Sequence, residues 1–424
     1  MLAVVVLGLF VLLFLGVPVS FALAITSMIY LSVEGIPVVS LAQRMIAGTD
    51  SFSLIAAPLF MLAGQIMSTG GITKRLVRLS DALIGHVPGG LAQVNIVVSM
   101  IFAGMSGSAT ADAAGLGSML IPAMKEDGYD APFSAAVTAA SSTLGPIIPP
   151  SVPFVIYGSI AQISIGKLFL GGAIPGLVMA LYMMLVVHVL SLRRGYRRRS
   201  LFSLSRLFSA LRESALELML PLIIVGGIMG GVFTPTEAAV IAVVYALILE
   251  VLVRKELTTK DLPQVFLRAA VISGVVMFIV ASASIFGWIL VREQFGRMVV
   301  GLLTGLSTNP VILRAFIIGA LFVMGLFVET IASIIIVVPV VLPLATALGM
   351  DPIHLGVVTV LTIMIGLITP PVGLCMYIVT AIARINVVAF TREALPFIAA
   401  LILAVLTIAY FPGLVLWLPN LLIR

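Results

Sequence analysis

Two stretches decide the reading: 145-GPIIPPS-151 and 366-GLITPPVG-373, each placing a glycine, three residues and a Pro-Pro pair inside a long apolar run. Proline removes a backbone donor and clashes with the preceding turn, so a helix breaks there. Inside a bilayer such irregular backbone survives only where protein or a wet cavity satisfies it. The two breaks lie 221 residues apart, and the same offset extends around them. Gly104 matches Gly325, Pro122 matches Pro343, Gly128 matches Gly349 and Asp130 matches Asp351. Gly145 matches Gly366, Pro149-Pro150 match Pro370-Pro371, Phe169 matches Phe390 and Pro175 matches Pro396. Most of these positions are Gly or Pro, so what is duplicated is the path of the backbone.

The 424 residues are 61% hydrophobic and only 9% charged, against roughly a quarter charged in soluble domains. Apolar runs recur from end to end, which gives an all-α, multi-pass membrane protein with no separate soluble domain. The net charge of +6 comes from short Lys/Arg clusters between apolar runs. These read as cytoplasmic loop anchors and not as a nucleic-acid surface. A single cysteine, Cys375, excludes an internal disulfide and any multi-Cys metal site. His86, His188 and His354 lie far apart, and there is no HExxH pattern and no Walker A lysine. The first 31 residues lack a basic n-region and stay apolar past Gly16-Val17-Pro18, so they read as two membrane segments joined by a tight turn.

The basic loop 193-RRGYRRR-199 divides the chain into 1–199 and 200–424. Placing that loop in the cytoplasm puts 125-KEDGYD-130 and Lys74, Arg75 and Arg78 there too. The segment 89–124 then enters and leaves on one side, with the Gly/Ser-rich 104-GMSGSATAD-112 at its middle, and reads as a re-entrant hairpin. The first half is expected to hold scaffold helices (1–68), this hairpin, a broken helix (131–165) and a helix over 167–190. The second is expected to hold scaffold helices (215–253), a helix over 268–291, a second hairpin (297–349), a broken helix (353–385) and a helix over 394–418. Charge counting turns the second copy upside down relative to the first. Inverted repeats with discontinuous helices meeting near the midplane are the signature of secondary transporters. Each break facing a hairpin tip gathers carbonyl oxygens of the kind that hard cations bind.

Ser106 and Ser108 give the first tip two hydroxyls that can approach a substrate carboxylate closely or add oxygen ligands to an ion, with Ser151 just past the facing break. Small residues also serve tight helix packing. Asp112, Glu237 and Glu329 are carboxylates in apolar runs, where insertion costs roughly 2.5–3.5 kcal/mol at mid-bilayer. Glu329 stands at the second tip in the position of Ser108, which suggests an ion or substrate role. Asp112 reads equally as a helix cap and as a functional group, and Glu237 at least as well as a cap. Arg292 either greets an anion or snorkels to the outer interface.

The combination of 104-GMSGSATADAAG-115, 118-SMLIPAM-124, 145-GPIIPPS-151, 233-FTPTEAA-239 and 366-GLITPPVG-373 resembles the large membrane (M) subunit of TRAP transporters, the tripartite ATP-independent periplasmic family. The resemblance covers essentially the whole chain. It implies a bacterial inner-membrane, Na⁺-coupled symporter of organic acid anions that works by an elevator movement and shares its architecture with the wider ion-transporter group. It also implies a periplasmic substrate-binding (P) protein and a small four-helix membrane (Q) subunit, expected here as a separate polypeptide. The family's carriers include those for dicarboxylates, sialic acid, keto acids and sugar acids. Carried over by position, one Na⁺ would lie among Gly104, Ser106, Gly145, Ile148 and Pro150. A second would lie among Gly325, Gly366, Thr369 and Val372, and substrate near Ser108, Ser151, Arg292 and Glu329. Two alternatives stand beside this reading: a stand-alone anion/Na⁺ carrier, and an intramembrane enzyme using Ser106 or Asp112. No histidine or second carboxylate is spaced to serve as the enzyme's base.

Overall fold

The computed structural model describes residues 2–423 except Gly70, Arg197, Ser200 and Thr308. Arg197 of the basic loop therefore lies outside the described residues. Helices α1 (Leu2–Phe14) and α2 (Val19–Val33) are joined at Gly16, whose φ of +81° is open to glycine without steric cost. Helices α3 (Val39–Thr49) and α4 (Ala56–Thr69) follow, forming a pair bent by 66°. The next helix, α5 (Ile72–Ile84), is two-faced: Ile72, Leu76 and Leu79 are buried while Lys74 and Arg78 are exposed. Helices α6 (Gly90–Ser106) and α7 (Ala109–Glu126) form a hairpin. Their 17 and 18 residues span only about 26 Å at 1.5 Å per residue, short of a ~30 Å bilayer core.

Helices α8 (Ala131–Ser142) and α9 (Val152–Ala161) flank the first Pro-Pro break, and α10 (Ile165–Arg194) closes the half. A short two-faced helix, α11 (Leu204–Glu213), leads to α12 (Ala215–Met229) and α13 (Pro235–Leu247), which continues as a wider helical turn through Val253. The long α14 (Leu262–Arg292) and the short α15 (Phe295–Leu306) precede a second hairpin, α16 (Pro310–Phe327) and α17 (Thr330–Ala347). The second break separates α18 (Pro352–Gly366) from α19 (Leu374–Ala383), and α20 (Val387–Tyr410) and α21 (Gly413–Leu422) end the chain.

The offset of 221 extends to the helix boundaries. Residues 109–126 displaced by it become 330–347, the span of α17, and α6 displaced becomes 311–327 against 310–327 for α16. Two expectations shift. The second hairpin proper is 310–347, because α15 stands before it as the counterpart of α5. The final helix expected over 394–418 begins earlier and stops at Tyr410, because the chain turns at Phe411-Pro412 before α21 begins. Five helices among the described residues are long and apolar enough to cross a membrane, or six with the bent pair counted as one. The chain is a multi-pass membrane protein.

Packing between the halves is crossed. Helix α7 packs on α8 and on α19 of the other half, and α17 packs on α18 and on α9. Likewise α20 lies against α8 and α10 against α18. Both breaks are thereby held between hairpins. A second group of helices, α2, α3, α4, α13 and α14, packs together and meets the hairpins chiefly through α4 on α6 and α14 on α17. Helix α5, the arm leading into the first hairpin, is fastened to α12 by charge. The Arg75 Nε lies 2.7 Å from Glu217 and its Nη1 2.6 Å from Glu256, while Arg254 also meets Glu217 at 2.7 Å.

Candidate functional site

Helix α6 ends because Gly107 takes the left-handed conformation (φ +61°) that glycine adopts freely. Ser108 then starts α7 as its cap, accepting a hydrogen bond from the Ala111 N–H at 3.4 Å and lying 3.2 Å from the Thr110 hydroxyl. At the second tip Glu329 does the same for α17, accepting from the N–H groups of Ile331 (2.9 Å) and Ala332 (3.3 Å). Ser108 and Glu329, alike in position, thus have the same local task.

The first turns of α7 and α17 face one cavity of about 340 Å³. From the tips it is lined by Ser106, Ser108, Thr110, Glu329 and Thr330, and from the other helix group by Met61, Gly64, Gln65 and Ile272. Two helix N-termini aimed at one space bring their positive dipole ends together, a favourable setting for negative charge, and at the second tip the Glu329 carboxylate already takes the N–H groups of Ile331 and Ala332. Gly64 lets the two helix groups approach closely at the first tip. A methyl there would lie 3.1 Å from the Ser106 carbonyl oxygen.

The breaks are built from main chain. The Ser151 hydroxyl donates to the Pro146 carbonyl and accepts from the Phe154 N–H at 3.2 Å, bracing the first break as it caps α9. At the second, the N–H groups of Cys375 and Met376 donate to the Leu367 carbonyl at 3.0 and 3.2 Å. The Pro149-Pro150 and Pro370-Pro371 bonds are both cis. Each tip sits directly on its break. A methyl at Gly107 would lie 2.9 Å from the Pro150 carbonyl oxygen, and one at Gly104 3.6 Å from that of Pro149. A methyl at Gly366 would fall on the Gly325 carbonyl, and one at Gly325 would lie 2.8 Å from the Ile363 oxygen. Among the described residues no three His, Cys, Asp or Glu side chains gather as metal ligands. The groups at both contacts are chiefly main-chain carbonyl oxygens, with the Ser106 hydroxyl and the Asp112 carboxylate at the first, a donor set of the hard-oxygen kind.

At the first contact Gly104 faces the Pro149 carbonyl, Gly107 that of Pro150, and Gly145 faces Ser108 and Asp112; at the second Gly325 and Gly366 face each other. Ile148 lies in the first break with its side chain against Gly176, while the Thr369 hydroxyl donates to the Ile365 carbonyl at 2.7 Å and Val372 is exposed. Ser108 and Glu329 line the cavity. Ser151 does not, since its hydroxyl is spent on the break. Arg292 does not either: it lies 20 residues beyond Ile272 on α14, about 30 Å along the helix axis. There its guanidinium stacks over Trp288, 5.3 Å from the ring centre, with Arg44 at 3.9 Å from the same ring. Glu237 completes a capping box with Thr234 at the start of α13, away from the cavity lining. The sequence reading missed Thr110, inside the quoted tip, and Gln65, a polar residue in the otherwise apolar 54–67 run.

Paired hairpins meeting broken helices around a cavity that carries hydroxyls and a carboxylate on an otherwise apolar wall, within an apolar helical body, are the architecture of a membrane transporter. The chain belongs to the tripartite ATP-independent periplasmic transporter family, DctM component, whose model matches residues 6–414. It is 40% identical to the sialic acid TRAP transporter large permease protein SiaM of Vibrio cholerae, over 97% of this chain and 96% of that one. It is 36% identical to the C4-dicarboxylate large permease protein DctM of Pseudomonas aeruginosa, over 90% and 89%. In fold it is similar to the YdaH transporter of Alcanivorax borkumensis, with a TM-score of 0.64 at 14% identity over 88% and 87% of the two chains.

Ser108→Ala removes a hydroxyl from the cavity and a long capping bond from α7. Cap loss of this kind costs about 0.5–2 kcal/mol, which leaves the protein folded. Transport is expected to fall at least tenfold with the melting temperature nearly unchanged, read by uptake in proteoliposomes beside a thermal melt.

Proposed function

We propose that this chain is the large permease subunit of a system that imports an organic acid anion together with Na⁺. A periplasmic binding protein delivers the anion, and a small membrane subunit completes the scaffold. The observation that carries this reading is the cavity set between the first turns of α7 and α17, each tip resting on a broken helix. The substrate carboxylate takes the hydroxyls of Ser108, Thr110 and Thr330 at the two helix N-termini. One Na⁺ is assigned to Gly104, Ser106, Gly145, Ile148 and Pro150, and a second to Gly325, Gly366, Thr369 and Val372. Bound Na⁺ supplies positive charge beside the anion and the free energy of its own gradient. Relatives are named for substrates as different as sialic acid, C4-dicarboxylates and 2,3-diketo-L-gulonate at 40, 36 and 35% identity, so the proposal stops at the class of organic anion.

The halves act as inverted repeats, and the two-hairpin domain moves past the α2–α4, α13 and α14 scaffold as an elevator. Two features support sliding at that boundary: Gly64 lets the first tip pass close to α4, and the cavity lies level with Ile272, only ten residues into α14. By the topology set by charge, that is the cytoplasmic half, which makes this the inward-facing position. Arg292 marks the opposite end of α14, and the cavity approaches it only when the tips rise.

Reconstituted with its partner subunits, the protein is expected to accumulate organic anion only under an inward Na⁺ gradient and only with binding protein present. Equal uptake with choline replacing Na⁺, or without the binding protein, would overturn the proposal.

A further inference from the structure

Asp112 stands one turn into α7, its N–H bonded to the Ser108 carbonyl at 3.1 Å. The residue is fully buried, and neither carboxylate oxygen has a hydrogen-bond partner. None of the ion pairs among the described residues involves it. The Ser106 hydroxyl lies beside it but not in hydrogen-bonding geometry. Its Oδ2 is aimed at Gly145, the residue that opens the first break: a methyl there would lie 2.5 Å from that oxygen and 3.2 Å from the Ser108 carbonyl oxygen. A buried carboxylate with no partner carries a large penalty unless a proton or a cation neutralises it. The other tip carboxylate is differently placed, since Glu329 already accepts two N–H bonds at the head of α17. The position equivalent to Asp112 in the second half is Ser333, whose hydroxyl is committed to the Val328 carbonyl at 3.1 Å. The two cation cradles are therefore electrically unequal.

We propose that the Asp112 carboxylate, wedged between Ser106 and Gly145, is the anionic ligand of the first cation site and couples that site's occupancy to movement of the hairpin domain. This rests on the cation reading given above and adds to it a charged group set directly against Gly145 at the first cradle. With the cation present, Asp112 is neutralised and the domain crosses the apolar scaffold without a bare charge. Without it, the same passage carries an uncompensated carboxylate, and the empty domain is held back. Coupling follows from the cost of that charge, with no need for a separate gate.

The test is thermal unfolding of the detergent-solubilised permease complex, titrated with NaCl against choline chloride at constant ionic strength. Ligand that binds only the folded state raises its stability by mass action. For wild type, Na⁺ is expected to raise the melting temperature and choline is not. In Asp112→Asn the Na⁺ concentration giving half the shift rises at least tenfold, about 1.4 kcal/mol of binding free energy. In choline the variant melts at least as high as wild type, because its buried charge is gone. Asp112→Ser, which copies the second repeat, is expected to match it. If wild type shows no Na⁺-specific shift, the cation reading itself falls. If wild type responds and both variants respond at the same Na⁺ concentration, Asp112 is not a ligand. If both variants melt lower by a constant amount throughout, or neither folds, Asp112 is structural and the proposal is overturned.

Discussion

Gly366→Ala is expected to abolish uptake and to lower the melting temperature markedly. The methyl falls on the Gly325 carbonyl oxygen and carbon and lies 2.8 Å from the Gly325 Cα. All of these are main-chain atoms, so no rotamer relieves the clash. Nor has Gly325 anywhere to retreat, since its own Cβ position is 3.0 Å from the Ile363 Cα. The only remedy is to part α16 from α18, which opens the contact between second tip and second break. Overpacking of this kind costs about 1–3 kcal/mol, occasionally more, and here it also displaces a carbonyl assigned to a cation. Gly319→Ala is the control: it lies on the same α16 with nothing within 4 Å of the added methyl. Replacing a mid-helix glycine by alanine there is expected to be neutral or to stabilise by about 0.5–1 kcal/mol. Proteoliposome uptake and a thermal melt of both variants decide the matter. Equal behaviour of the two would mean that the tip and the break do not meet as described.

Much of this site is legible from residue types because backbone geometry is written in glycine and proline. The helix breaks at 145–150 and 366–371, the tips at Gly104–Ser108 and Gly325–Glu329 and the offset of 221 all follow from where Gly and Pro recur. Facts that depend on which way a side chain turns are less accessible. Ser151 and Ser108 look alike in sequence, yet one hydroxyl is spent on the Pro146 carbonyl while the other faces the cavity. Arg292 looked near because it shortly precedes the second hairpin, but the continuous α14 carries it about 30 Å from Ile272 along its axis. Gln65 and Thr110 carried no periodicity or motif beyond their polarity. Asp112 reads ambiguously in sequence because a helix cap and a ligand use the same chemistry. What separates them is the pair of empty hydrogen-bond positions in the fold. The break at Phe411-Pro412 was hidden by apolar residues on both sides of it.

Glu217→Ala is expected to cost about 3–5 kcal/mol, the penalty for removing one member of a buried ion group. The carboxylate is fully buried and holds Arg75 and Arg254 at once, each at 2.7 Å. Arg75 in turn forks onto Glu256 at 2.6 and 3.0 Å, and the Gly71 N–H donates to Glu256 at 2.5 Å. Truncating Glu217 leaves two guanidiniums facing a cavity, with the carboxylates of Glu256 and the buried Glu250 still nearby. It also releases α5, the arm by which the first hairpin joins the scaffold. The position of Arg75 falls on Gly296 in the second half, so α15 has no such rivet there and the two arms are anchored unequally. Glu217→Gln keeps the shape and one acceptor, and its cost should lie between those of wild type and alanine. The exposed pair Arg78–Glu213, with side chains 64 and 39% accessible, supplies the comparison, since its loss through Glu213→Ala costs about 0–1 kcal/mol. A pH signature accompanies the group. The Arg75 guanidinium holds the Glu256 carboxyl below the usual carboxylate range. Its stabilising contribution is therefore complete above the ordinary value of about 4.3 and is lost only as pH falls through the lowered one. Melting temperatures of Glu217→Ala and Glu213→Ala, measured side by side near neutral pH, test the clamp. Equal losses would show that α5 is held by its apolar face alone and that the arm is free to pivot on the scaffold.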